Sequence, residues 1–205
     1  MRILAIDCAT EACSVALFDD GALIAGQREA IGRGHAERLV PMIAQLPDRG
    51  RADEIRVALG PGSFTGVRIG LAAARALALA WNVPVLGYPA LALVAAMAQA
   101  QRPGAVTVCM AGGHGEWFVQ DFAADGLALI PLASLPPAEA AARAGPDLAA
   151  GSQAEALVTL RGHGEALALL PDAREAPRVN AQLVTADLAP IYGRAPDARL
   201  PQPRA

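Results

Sequence analysis

Gly60, Gly62, Gly66 and Gly70, with Ser63 and Thr65 among them, form the stretch of this 205-residue chain best suited to chemistry. Four glycines within eleven residues let the backbone approach a neighbour without interference from Cβ. The stretch lies between a strand candidate, Ile55 to Leu59, and an Ala/Leu-rich helix candidate, Val67 to Trp81. Ser63 and Thr65 can cap that helix and leave its free N–H groups facing outward. Such a strand–glycine loop–helix junction either binds an anion or fits tightly against another protein. A second candidate group is Asp7, at the end of the first strand candidate, with Thr10 and Ser14 after it. In a phosphate-handling site a carboxylate there holds metal-bound water while the small hydroxyls face phosphate oxygens. The alternative is that Asp7 and Thr10 merely hydrogen-bond the turn they flank.

Several kinds of chemistry are excluded or weakened. All 17 basic residues are arginines, so there is no Walker lysine, Schiff-base lysine or Ser–Lys dyad. Arg68 lies beyond the position where a P-loop lysine belongs. In the second half, Ala111-Gly112-Gly113-His114-Gly115 forms a comparable glycine turn, but no Asp precedes it, which counts against kinase or ATPase chemistry. His35, His114 and His163 are widely separated, without His-x-x-His or Cys-x-x-Cys spacing, so no metal site is expected. No Gly-x-Ser-x-Gly elbow supports a peptidase. A net charge of −3 without a basic block disfavours a stand-alone nucleic-acid binder. Cys8, Cys13 and Cys109 lie in strand-like segments and read as buried free thiols in a reducing compartment. Asp7 interrupts the N-terminal apolar run too early for a signal peptide. The apolar window Val83 to Ala98 holds two prolines and a glycine and is too short to span a bilayer. A soluble, cytoplasmic protein is expected.

The elements that must position these residues follow from pattern. Arg2 to Cys8, Cys13 to Phe18 and Ala22 to Glu29 read as strands, the last two joined at the hairpin signal Asp19-Asp20-Gly21. A helix is expected from Gly34 to Leu46, with Pro41 bending it or marking a shorter first turn. After the glycine loop and its helix come a short strand, Val83 to Leu86, and a helix from Pro89 to Gln101. Arg102-Pro103-Gly104 is the natural boundary between a lobe at 1–103 and a lobe at 104–205. The second half reopens with strands at Ala105 to Ala111, Glu116 to Ala123 and Leu127 to Leu132. Helices are expected at Pro137 to Arg143 and Val179 to Leu188, and residues 145–180 carry no clear pattern. A duplicated ββαβ-type α/β arrangement is the signature of a two-lobed actin/sugar-kinase-like fold.

On the helix from Gly34, the residues Ala36, Leu39, Val40, Ile43 and Leu46 follow helical spacing, and Met42 widens the apolar arc. An arc that broad can serve both a core and a partner, and methionine suits adaptable contacts.

Three stretches carry a family resemblance. Asp7-Cys8-Ala9-Thr10-Glu11-Ala12-Cys13-Ser14-Val15-Ala16-Leu17 resembles DTSTEACSVAL, and His35-Ala36-Glu37-Arg38-Leu39-Val40-Pro41-Met42-Ile43 resembles HSERLLPMI. The glycine loop resembles GPGSFTGVRIGL along its length. Together these are similar to the TsaB (YeaZ) family of bacterial proteins for threonylcarbamoyladenosine modification of tRNA. The resemblance is close over residues 3–93. Beyond residue 104 it weakens to Gly115-Glu116-Trp117-Phe118 against G-E-V-Y and Pro190-Ile191-Tyr192-Gly193-Arg194 against P-V-Y-L-R.

The resemblance implies a non-catalytic subunit that pairs with the related catalytic subunit TsaD and is joined by the ATPase TsaE. Metal-binding histidines follow a similar A-W-N-V-P stretch in TsaD, whereas Ala80-Trp81-Asn82-Val83-Pro84 is followed here by no histidine up to Leu91. On this resemblance His35, Leu39, Val40, Met42, Ile43, Leu46 and Arg68 form the expected partner interface. Asp7, Thr10, Gly62, Ser63, Thr65 and Gly66 are the expected phosphate-proximal group. No metal or cofactor of its own is expected, with ATP or ADP and Mg shared at the partner interface. Contact with tRNA is indirect, and a homodimer through the same helix is the expectation when TsaD is absent. The competing expectation is an autonomous enzyme, either an actin-fold phosphotransferase using Asp7 or a peptidase. The family's D-A-R before G-E-V-Y is here Ala111-Gly112-Gly113, and the tail from Pro196 lacks the family's W-K-K. Arg194, Arg199 and Arg204 could graze phosphates or form a solvated tail.

Overall fold

In the computed structural model, which describes residues 1–194, the first thirty residues form an antiparallel meander. β1 (Arg2–Asp7), β2 (Ala12–Asp19) and β3 (Ala22–Ala30) pair with Asp7 opposite Ser14 and Ala16 opposite Gly26. Asp20 and Gly21, both at positive φ, make the hairpin the sequence signalled. After α1 (His35–Ala44), β4 (Glu54–Ala58) runs parallel to β1. α2 (Phe64–Trp81) then crosses back to β5 (Val85–Tyr88), and α3 (Ala90–Gln101) follows. The sheet order is β3-β2-β1-β4-β5.

The second half repeats that order. β6 (Val106–Gly113), β7 (Glu116–Phe122) and β8 (Ala133–Leu135) form the meander, and α4 (Pro137–Arg143) leads to β9 (Leu148–Ala150). α5 (Ala154–Arg161) and β10 (Glu165–Leu167) close a sheet of order β8-β7-β6-β9-β10. The duplication expected from pattern is therefore present strand for strand.

Layers follow from side-chain alternation. α1 and α2 cover one face of the first sheet, where Gly70 of α2 sits against Cys8, Ile6 and Val57. A 3-10 segment, Ala173–Arg178, straps the other face: the Ala173 N–H donates to Ser14 Oγ at 2.9 Å, and the Arg174 stem lies on Gly26. α3 is apolar on nearly all sides and is buried against the strap and against β6, β7 and β9. α4 and α5 cover the far side of the second sheet with a smaller core built around Trp117, Val119, Leu157 and Cys109.

Several expectations are corrected. α2 starts at Phe64 rather than Val67, because Ser63 caps it. β5 lies two residues later than expected, since Val83-Pro84 only leads into it. The third strand of the second meander is Ala133–Leu135, not Leu127 to Leu132, where one isolated bridge, Phe122 to Ala128, forms after the Asp125-Gly126 turn. No helix spans Val179 to Leu188. Asn180 caps a single 3-10 turn, Ala181–Leu183, and Thr185 then pairs with Gly87 at the edge of the first sheet. α1 continues as one helix through Pro41. The expected boundary at Arg102-Pro103-Gly104 falls between α3 and β6, but the segment around 172–191 returns to the first sheet. α2 is long and apolar enough to cross a membrane by length and composition, yet its face of Val67, Gly70, Leu71, Ala74 and Ala78 is buried. Arg199 and Arg204, and the tail from Pro196, lie outside the described residues.

Candidate functional site

The glycine loop closes onto its own chain. The Ser63 N–H donates to the Ala9 carbonyl at 2.6 Å, and a Cβ at Gly62 would lie 1.8 Å from that same oxygen. A Cβ at Gly66 would lie 2.1 Å from the Cys8 carbonyl oxygen. These two glycines are thus required by the turn between β1 and β2. Ser63 is the cap, its Oγ accepting the Gly66 N–H at 3.2 Å. Thr65, the other expected cap, is instead an exposed residue within the first turn of α2.

Asp7 and Thr10 lie under that turn. Thr10 Oγ1 accepts the Ala12 N–H at 3.2 Å, and Asp7 Oδ1 accepts the Ala9 N–H at 2.9 Å. This is the turn-stabilising alternative. Asp7 is 1% exposed, and its Oδ2 is buried without a hydrogen-bond partner. Burial pushes this carboxyl up to about 7; the Ala9 N–H pulls it down, and the negative charge of Asp172 adds a smaller push upward. Asp172 itself is held by Arg174 at 2.6 Å, just ahead of the strap. Tyr88 Oη donates to the Ile6 carbonyl at 3.1 Å beneath the same turn.

A nucleotide phosphate does not fit this arrangement. The loop glycines meet carbonyl oxygens, which are acceptors like the phosphate itself, and the carboxylate that would hold metal-bound water is sealed. Of two surface cavities, of about 390 and 310 Å³, the first lies around Arg2, Asp48 and Trp81, and the second is lined by Glu11 of the same turn together with Arg28, Ser152 and Leu169. Among the described residues no cluster of three or more His, Cys, Asp or Glu could hold a metal.

The expected partner face is divided by the structure. Leu39, Met42, Ile43 and Leu46 are buried in the chain's own core, so their side chains are not available to a partner. His35 is also buried, its Nε2 within 2.8 Å of the Thr10 carbonyl, where it fixes the turn to the start of α1. Val40 is exposed, at 61%, as is the small Ala36 one turn before it. Beside α1, the outer side of α2 presents Ala72, Ala76, Leu79 and Ala80. Arg68 is exposed and stacked: its guanidinium carbon lies 3.3 Å from the Phe64 ring centroid, and its Nη2 donates to Tyr192 Oη at 2.9 Å.

Sequence reasoning missed the strap, whose composition of Ala, Arg and Pro gives no pattern, and the seating of Tyr192 on α2. It also passed over the contact between Cys8 and Cys13, whose sulfurs are 3.6 Å apart across the turn. In the second half, buried Asp121 is satisfied by Thr107 Oγ1 at 2.7 Å and the Gly145 N–H at 3.1 Å, and so is structural.

A model of the TsaD family, tRNA N6-adenosine threonylcarbamoyltransferase, matches residues 28–127. The tRNA threonylcarbamoyladenosine biosynthesis protein TsaB of Escherichia coli K12 is 46% identical over 100 residues, 46% of this chain and 43% of that protein. The match thus spans less than half the length of that curated relative. A crystal structure from Pseudomonas aeruginosa, of an uncharacterised protein with similarity to the peptidase YeaZ, is 31% identical with a TM-score of 0.79. It matches over 94% of this chain and 99% of its own. The chain belongs to the TsaB/YeaZ family. A second Pseudomonas aeruginosa structure, of YeaZ, agrees at a TM-score of 0.77 and 29% identity, covering 93% of this chain and 99% of that one. The expected two-lobed actin/sugar-kinase-like fold is the one observed. The three sequence motifs, distant in the chain, converge on one turn: Ala9 and Thr10 are held by Ser63 from the loop and by His35 from α1.

Proposed function

We propose that this chain acts in the synthesis of threonylcarbamoyladenosine in tRNA as a non-catalytic activating subunit. It docks TsaD through the exposed faces of α1 and α2, with TsaE joining the pair and tRNA contacted only indirectly. The observation that carries the reading is the sealing of Asp7. Where an actin-like phosphotransferase needs an accessible carboxylate, this chain buries one beneath its own strap with an orphaned oxygen. The names of the TsaB relatives support the pathway. The exposed Val40 on α1 and Leu79 on the alanine-rich α2 support a docking face. The reading assigns no nucleotide to this chain alone; ATP or ADP with Mg is expected at the contact with TsaD. A cytoplasmic location and a homodimer through the same helices when TsaD is absent belong to the same proposal.

The test is co-elution of the purified chain with TsaD, for the wild type and for Val40→Glu and Leu79→Glu. Both side chains point to solvent, so the variants should fold normally and lose the complex. Leu39→Glu is unsuitable, because Leu39 is fully buried and the variant would unfold. Unchanged co-elution of both surface variants would remove the docking face. ATP or peptide turnover by the lone chain that vanished in Asp7→Ala would replace the proposal with an autonomous enzyme.

A further inference from the structure

Cys8 and Cys13 stand at opposite ends of the four-residue turn between β1 and β2, one step beyond the last ladder pair, Asp7 and Ser14. Residues facing each other across an antiparallel ladder have Cα separations that a disulfide can bridge. The two sulfurs already touch at 3.6 Å, and both residues are buried.

The two thiols are not equivalent. With Cys8 donating, its S–H stabilises the Cys13 thiolate and lowers the Cys13 pKa, while burial opposes the shift. The Asp7 and Glu29 carboxylates also oppose it, and the Arg38 guanidinium on α1 assists. The Cys8 thiol is correspondingly pushed well above its ordinary value by that hydrogen bond and by burial. Cys109 lies in the second sheet, where burial pushes its thiol up to about 12.

We propose that Cys8 and Cys13 form an oxidisable dithiol–disulfide couple, with Cys13 as the attacking sulfur and Cys8 as the resolving one. With hydrogen peroxide as oxidant, the Cys13 thiolate attacks one peroxide oxygen and the O–O bond breaks. The departing hydroxide takes up a proton as water, leaving Cys13 as a sulfenic acid. Cys8 loses its proton, its sulfur attacks that of Cys13, and the S–O bond breaks, releasing the second water. Two thiols and one peroxide thereby give one disulfide and two waters.

The position gives the couple a consequence. Closing the sulfurs from 3.6 Å to a bond of about 2.05 Å draws the two ends of the turn together. That turn seats α1 through His35 and Thr10, and α2 through Ser63, Gly62 and Gly66. Oxidation therefore acts on the helices assigned to docking; this consequence alone rests on the docking proposal.

The test needs no partner, so its failure is distinct from failure of that proposal. The full chain is treated with hydrogen peroxide, unfolded in an alkylating reagent and weighed by mass spectrometry. Alkylatable thiols should fall from three to one. Peptide mapping should place the bridge between Cys8 and Cys13, and a dithiol reductant should restore all three. Cys13→Ser should keep two alkylatable thiols after the same treatment, whereas Cys8→Thr, with no sulfur to resolve the Cys13 sulfenic acid, should keep only that of Cys109 and gain oxygen in mass without a bridge. Three alkylatable thiols in the treated wild type would overturn the proposal. So would a bridge involving Cys109 or a second copy, or a loss of thiols in Cys13→Ser.

Discussion

Replacing Asp7 by Asn should flatten a specific part of the protein's stability–pH curve. In the fold the Asp7 carboxyl titrates near 7, against an ordinary value of 3.8. Because the folded state holds the proton more tightly, the contribution of Asp7 to stability is full below about pH 3.8. It is lost progressively as pH rises toward 7. A tenfold change in proton affinity is worth about 1.4 kcal/mol, so a rise from 3.8 to about 7 amounts to about 4 kcal/mol. The introduced asparagine keeps an acceptor for the Ala9 N–H and puts an uncharged amide where Oδ2 was orphaned, which costs about 1–3 kcal/mol at every pH. The measurement is urea unfolding of both proteins between pH 4 and pH 8. Other titrating groups, common to both, cancel when the two free energies are subtracted. The variant should gain about 4 kcal/mol on the wild type across that range, whatever its constant offset. A difference that stays level between pH 4 and pH 8 would refute the sealing of Asp7, and with it the main argument against phosphotransfer in this chain.

Two further perturbations test the seating of the loop. Gly66→Ala places a Cβ 2.1 Å from a backbone oxygen, which cannot swing aside as a side chain would. The cost should be at least about 1–3 kcal/mol, seen in a thermal scan as a midpoint several degrees lower. An unchanged midpoint would mean that the turn yields freely. Arg68→Gln removes the stacking on Phe64 and the bond to Tyr192, at a cost of about 1 kcal/mol. Limited proteolysis should then cut more readily near residue 190, and equal cleavage in both proteins would assign the Arg68 contact no part in holding that segment.

The first hundred residues were largely legible because β1, β2 and β3 are six to nine residues long and end in recognisable turns. Asp20-Gly21 fixed one hairpin, Ser63 one helix start and Asn82 one helix end. The second half was harder for a physical reason: β8, β9 and β10 are each three residues long, too short to show a period of two. Val179 to Leu188 has helical composition, but Thr185 is taken by Gly87 across the sheet edge. The glycine loop was readable as a place of close approach, and its neighbour was not, since Ala9 lies more than fifty residues earlier. Apolar spacing on α1 correctly marked a buried face. It could not divide core from surface, which is why Leu39 and Val40, adjacent in sequence, have opposite fates.

The strap and the segment after it set the order of events during synthesis. Ser14 waits for Ala173, Gly87 for Thr185, and Leu59 for Ile191. A nascent chain that has reached residue 103 has made every strand of its first sheet and none of the cover for one face. In that state Asp7 is hydrated and ionised, and the apolar surface beneath the missing strap is open to a chaperone. The first half therefore becomes a finished structure only after the segment around 172–191 has been made. Contacts this distant along the chain slow folding and join the two halves in one cooperative transition.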